Sequence, residues 1–205
     1  MPHGPADHCP ACGTTLDPVD PPTVQRCPSC EEYVFHNPTP NCRVVVVDGD
    51  AALLVEILDA YRVEDPPYPD VSEWMLPGGH PHVGEQPAET AARELAEETN
   101  LSVDPADLVL FDAVSRQVVA GNHALVLCYA VERSSTSPAS QARQDAVERS
   151  DVEGPLRAAS DAGDARFFTP AELAASDRRF REMAVEPERC RSFEWWVSAA
   201  RDALD

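Results

Sequence analysis

The stretch LPGGHPHVGEQPAETAARELAEETNL, residues 76–101, constrains this chain more than any other. A short strand, EWML, runs into Pro77-Gly78-Gly79, a turn in which the backbone can come close to another group. QPAETAARELAEET then reads as a helix with proline in its first turn. At 100° per residue, Ala88, Ala91, Ala92, Leu95 and Thr99 share one inward arc. Glu94, Glu97 and Glu98 gather beside it, next to Arg93. Like charges four apart cost a helix only about 0.2–0.5 kcal/mol each, so a merely solvated acidic face is workable. The spacing favours a different use. Three carboxylates supply the hard oxygens that Mg²⁺ or Mn²⁺ binds while keeping waters for a substrate phosphate. Arg93 can fix the direction of a neighbouring carboxylate, and Gly78 and Gly79 leave room for a diphosphate.

The rest of the chain supplies a domain around this stretch. RVVVVDGDAALLVEIL, residues 43–58, reads as a hairpin turning at Asp48-Gly49-Asp50. DLVLFDAVSRQVV and HALVLCYAVE read as two more strands around Gly121-Asn122. The proline-rich DAYRVEDPPYPDVS reads as an exposed loop, and residues 133–163 as a long acidic loop. DARFFTPAEL predicts a strand and then a helix capped at Thr169-Pro170. Cys190, Phe193, Trp196, Val197, Ala200 and Leu204 have the spacing of a terminal helix facing the core. The expected units are 1–36, 37–182 and a C-terminal amphipathic helix at 183–205.

Two cysteine pairs mark the first unit. CPAC and CPSC place Cys9, Cys12, Cys27 and Cys30 with fourteen residues between the pairs. Each short knuckle presents two thiolates on one side, which suits a tetrahedral Zn²⁺ ribbon better than disulfides. Four cysteine ligands leave no open position for water, so such a zinc is structural. Cys42, Cys128 and Cys190 stand alone and read as core residues.

Charge narrows the function classes. The formal net charge is −20, and all 16 basic residues are arginine. That argues against sequence-independent binding to nucleic acid, which needs a basic footprint. Excess Asp and Glu without lysine resembles the proteins of salt-in halophiles, haloarchaea above all, and implies a fold that needs molar salt. No apolar run is long enough for a membrane span, and the N-terminus has no signal-peptide pattern. The expectation is a cytoplasmic protein.

Gly79, Glu85 and RELAEETNL, in their spacing from Gly79 to Leu101, resemble the Nudix box of the Nudix hydrolases. One position departs: Asn100 stands where the family has glycine, and Asn tolerates the left-handed cap that the position requires. The resemblance implies an α/β/α sandwich with a mixed sheet, preceded here by the small four-cysteine zinc ribbon. It implies metal-dependent hydrolysis of a nucleoside diphosphate linked to another moiety, such as ADP-ribose, a dinucleotide or another small nucleotide-type substrate. By position, Glu94, Glu97 and Glu98 would bind Mg²⁺ or Mn²⁺, Arg93 would orient a glutamate, Gly79 would close the loop and Glu85 would support the helix start. A ribbon ahead of the box is similar to the arrangement in NADH pyrophosphatases, but their proline- and aromatic-rich element after the box is missing. The proline that marks many ADP-ribose pyrophosphatases is missing as well. Dimers are common among such proteins, so a homodimer is compatible with the resemblance.

Candidates outside the box rest on residue type alone. Trp74, Tyr61 and Tyr68 could stack a base, against packing or surface roles. Arg43, Arg62 and Arg116 could contact phosphate in a chain with few cations, against surface pairing. Asp145, Glu148 and Glu153 lie where the family often supplies a further catalytic carboxylate; His80 and His82 flank the loop. An alternative from another class is a nucleotide-sensing or interaction protein with little or no hydrolysis. The intact Arg93, Glu94, Glu97 and Glu98 argue against it.

Overall fold

The computed structural model describes residues 5–58, 72–119, 122–138, 162–181 and 188–205. In chain order its elements are β1 (Asp17–Asp20), β2 (Val24–Arg26), β3 (Tyr33–Phe35), β4 (Thr39–Asp48), β5 (Ala51–Ile57), β6 (Ser72–Met75), α1 (Pro87–Thr99), β7 (Leu101–Ser102), β8 (Val109–Val119), β9 (Asn122–Glu132), β10 (Ser137–Pro138), β11 (Ala162–Phe168), α2 (Pro170–Ala175), β12 (Arg178–Phe180) and α3 (Phe193–Leu204). The first three strands form a small antiparallel sheet beside the cysteine knuckles. The main sheet runs β12-β6-β5-β4-β9-β8, with β11 also paired to β5. It is mixed: β4 is parallel to β9 and β12 to β6, while the remaining pairs are antiparallel.

Alternation along β4 builds both cores. Val44 and Val46 pack with Ala91 and Leu95 of α1. Val45 and Val47 face the other way and pack with Phe193, Trp196, Val197 and Ala200 of α3 and Leu173 of α2. Burial on both faces is why this strand is a continuous valine run and not an alternating one. The expected α/β/α layering is therefore present. Among the described residues, no helix is long and apolar enough to cross a membrane.

Three boundaries differ from expectation. NPTPNC belongs in part to the first hairpin strand, expected from residue 43, because β4 begins at Thr39 and pairs with β9 from there. Its prolines are tolerated because an extended backbone is what they favour. The acidic stretch is shorter than 133–163, since β10 and β11 occupy residues at its two ends. Cys190 sits in a 3₁₀ turn ahead of α3, and Ser192 caps the helix by accepting from the Trp195 N–H. The predicted proline-rich loop, and Arg62, Tyr61 and Tyr68 within it, lie outside the described residues.

Candidate active site

The site forms where the β4–β5 hairpin opens. These strands pair only at Val47–Ala52 and Asp48–Ala51, next to the turn. Further along β4, Pro77–Gly79 takes up the free backbone groups: Cys42 N–H donates to the Gly79 carbonyl and Val44 N–H to that of Pro77, both at 2.9 Å. Gly78 adopts φ 140°, and an added Cβ would lie 2.9 Å from the Cys42 carbonyl carbon and closer still to its oxygen. Only glycine fits there. Its N–H, free of the strand, donates to Glu98 Oε2 at 2.8 Å. Gly79 has a different reason to lack a side chain: its Cβ would sit 2.5 Å from Cδ of Glu94. One glycine accommodates a strand, the other a carboxylate.

Helix α1 then aims the glutamates. Pro87 starts it, Glu89 accepts from the Gln86 N–H at 2.9 Å, and Asn100 ends it at φ 59° with its N–H on the Ala96 carbonyl. Asn100 thus does the left-handed capping that glycine would do. Ala91, Leu95 and Thr99 face inward as expected, joined by Thr90. The sequence reading missed Thr90, whose hydroxyl donates to Glu85 Oε2 at 2.9 Å.

Arg93 ties the loop to the helix. Its Nε and Nη2 donate to the two oxygens of Glu85 at 2.8 and 3.0 Å, and Nη2 also reaches the His80 carbonyl at 2.9 Å. Its Nη1 lies 3.0 Å from Glu94 Oε1 and 2.9 Å from Glu97 Oε2. Glu85 further accepts from the His82 N–H. These donors, Arg93 foremost, then the His82 amide, hold its carboxyl down at about 2, against an ordinary 4.5. Glu85 in turn raises the Arg93 pKa. One arginine thus joins the carboxylate ahead of the helix to two further along it. The carboxylates of Glu94, Glu97 and Glu98 share one end of the helix but are parted: two lean on Arg93, the third on the Gly78 amide. Their hard oxygens suit Mg²⁺ or Mn²⁺.

The other candidates divide. Trp74 is 1% exposed, packs edge-on against Phe168, and donates its indole N–H to Ser72 at 2.7 Å. With no free face it cannot stack a base, which corrects that expectation. Arg43, 7% exposed, turns inward and donates to the Cys42 and Gly78 carbonyls, so its contacts hold the loop. Burial lowers its pKa, opposed by nearby Glu98 and Glu94. Arg116 on β8 is also drawn in: burial, then Arg43, lowers its pKa to about 9. His80 Nδ1 lies 2.9 Å from the Pro40 carbonyl. Asp145, Glu148 and Glu153 lie outside the described residues.

At the N-terminus, the sulfurs of Cys9, Cys12, Cys27 and Cys30 all lie within 4.8 Å of one another. Cys9–Cys30 and Cys12–Cys27 are 4.0 and 3.6 Å apart. These exceed a disulfide's ~2.05 Å and bracket the roughly 3.8 Å edge of a tetrahedron with 2.3 Å metal–sulfur bonds. The Thr14 hydroxyl lowers the Cys12 thiol to about 6, while hydrogen bonds to Cys12 and Cys27 raise that of Cys30 to about 12, so a bound metal would have to displace the Cys30 proton. The quartet fits a small zinc ribbon.

Comparison with known proteins agrees with this geometry. No curated protein matches the chain. Two solved structures share its fold, both described as NUDIX hydrolases from Nitrosomonas europaea. One is 19% identical, with TM-score 0.54, covering 80% of this chain and 91% of its own. The other is 19% identical, with TM-score 0.52, covering 87% and 86%. The sequence model of the NUDIX domain matches residues 37–185. With the box residues assembled on α1 and most of its length matched, the chain belongs to the NUDIX domain family.

Proposed function

We propose that this protein is a metal-dependent pyrophosphohydrolase that cleaves a nucleoside diphosphate linked to another moiety by attack of water at phosphorus. One observation carries the reading: Arg93 and the Gly78 amide hold the carboxylates of Glu94, Glu97 and Glu98 at one end of α1, against the Pro77–Gly79 turn. Those glutamates would hold Mg²⁺ or Mn²⁺, and one of them would accept the proton of the attacking water. A bound divalent ion supplies neutralisation of phosphate charge and a lowered water pKa. Arg93 fixes Glu94 and Glu97, the Gly78 amide fixes Glu98, and Arg43 holds the loop that carries that amide. The Cys quartet would bind Zn²⁺ as a structural ion. The substrate is a small nucleotide derivative of the ADP-ribose, dinucleotide or nucleotide-sugar kind. The protein works in the cytoplasm, in molar salt.

The second reading is a nucleotide sensor with little hydrolysis. It draws on the glutamates: the cysteines are the one group among the described residues whose candidate ligand atoms meet within 4.8 Å. Intact Arg93 and all three glutamates favour the enzyme. The test is product release by zinc-loaded protein in molar KCl with Mg²⁺ or Mn²⁺. The panel holds ADP-ribose, NADH, NAD, diadenosine polyphosphates, nucleotide sugars and nucleoside triphosphates. Hydrolysis of one class is expected; silence across the panel from folded protein would favour the sensor.

A further inference from the structure

Strand β4 contains a buried cation where its neighbours are apolar. Cys42 precedes it and Val44, Val45, Val46 and Val47 follow, yet Arg43 is only 7% exposed. Burying a guanidinium is costly unless specific partners offset the lost water. Register puts Arg43 on the α3 side of the sheet, in line with Val45 and Val47 and paired with Cys128. Glu98 belongs to α1, whose Ala91 and Leu95 pack on the other side, against Val44 and Val46.

The Pro77–Gly79 turn lies along β4 between the two, where β5 has parted from it. Its three carbonyls all find donors. Pro77 and Gly79 accept from the Val44 and Cys42 N–H groups, and Gly78, itself buried, accepts from the Arg43 guanidinium. A fifth valine in place of Arg43 would leave the Gly78 carbonyl without that donor. The same glycine donates its N–H to Glu98 Oε2 at 2.8 Å. Gly78 is thus held from one side of the sheet by a cation and holds a carboxylate on the other. Charge alone argues against a cation here. Glu98 and Glu94 are near enough to act on the Arg43 guanidinium. At that range it repels any divalent ion that the two carboxylates would hold.

We propose that Arg43 is a positioning residue of the metal site. Through the Gly78 backbone it sets the direction of Glu98 from the opposite side of the sheet, and this alignment outweighs its own repulsion of Mg²⁺ or Mn²⁺, a role that rests on the reading of Glu98 as a metal-holding residue. Electron paramagnetic resonance titration of Mn²⁺ into the full zinc-loaded chain in molar KCl separates alignment from charge. Arg43→Met is expected to weaken Mn²⁺ binding about tenfold, as loss of an outer-shell partner does. Arg43→Lys, which keeps a charged donor, should lie between Arg43→Met and wild type, whereas repulsion alone would make Arg43→Met the tightest of the three. In the Glu98→Gln background Arg43→Met should weaken binding no further, because the carboxylate it aligns is gone; a general loosening of the fold would not give that non-additivity. Each protein is compared with wild-type zinc content and a cooperative melt, and Arg43→Gln takes the place of Arg43→Met if that variant does not fold. Mn²⁺ binding by folded Arg43→Met as tight as wild type or tighter, or the same loss in both backgrounds, would overturn the positioning role and leave the hydrolase reading standing. A folded wild type without a Mn²⁺ site, or with one indifferent to Glu98→Gln, would remove the metal assignment and the role of Arg43 with it.

Discussion

The cysteine knuckles and the glutamate helix are both read as metal sites, yet they are built in opposite ways. The four sulfurs already converge within 4.8 Å, while the three carboxylates are each held by a donor of the protein. Charge explains the difference. Thiols can be neutral and lie close together, whereas ionised carboxylates repel and are spread over cations and amides. A closed quartet suits a structural ion; spread carboxylates with Glu97 at 42% exposure leave room for water and substrate.

The largest effect expected from breaking this contrast is at the cysteines. Cys27→Ser should lose stoichiometric zinc and unfold the ribbon while the main sheet keeps its hydrogen-exchange protection, because the ribbon core is little more than Cys9, Leu16 and Cys27. Loss of protection throughout would show that the two regions fold as one. At the glutamates the loss should fall on chemistry. Glu98→Gln or Glu97→Gln is expected to lower turnover more than about a hundredfold, beyond the usual outer-shell cost, with melting unchanged. Wild-type turnover by either would remove that residue from the site.

The two glycines sharpen the comparison within the loop. Gly78→Ala should destabilise the protein, because its Cβ meets the β4 backbone at a positive φ, whereas Gly79→Ala should spare melting and lower activity by displacing the Glu94 carboxylate. Equal effects on melting would contradict the division. Acid titration gives a smaller effect. The Glu85 pKa falls from 4.5 to about 2 on folding, so its stabilisation is complete above pH 4.5 and disappears as pH falls through about 2. Glu85→Gln should lose that part of the acid dependence, as melts across the window would show. The smallest lies in the knuckles. The second cysteine of each is followed by a residue at positive φ, Gly13 in one and Glu31 in the other. Glu31→Gly should stabilise the ribbon by about 1 kcal/mol, read as resistance of its zinc to chelator.

Local features were the legible ones. The glycine turn, Pro87, the inward arc of α1 and the cap at Asn100 follow from short-range sterics and period, and the structure has them all. The cysteine quartet was legible because ligand spacing is itself a local pattern. Long-range partners were not. Trp74 read as a candidate stacking group because nothing local shows that Phe168 and Arg178 enclose it. Asn41 fell outside the expected hairpin of residues 43–58, since its pairing with Val126 joins residues far apart in the chain. That Arg43 would hold the Gly78 carbonyl depends on where the β4–β5 hairpin opens, which no residue in it announces.

Manganese binding to the carboxylates tests the central claim most directly. Electron paramagnetic resonance titration of Mn²⁺ into zinc-loaded wild type and Glu98→Gln in molar KCl would report it, with the ribbon already filled. A Mn²⁺ site weakened about tenfold or more by the substitution is expected. Equal affinity in the two proteins, or no Mn²⁺ site in the folded wild type, would contradict the assignment of Glu94, Glu97 and Glu98 as the metal-holding residues.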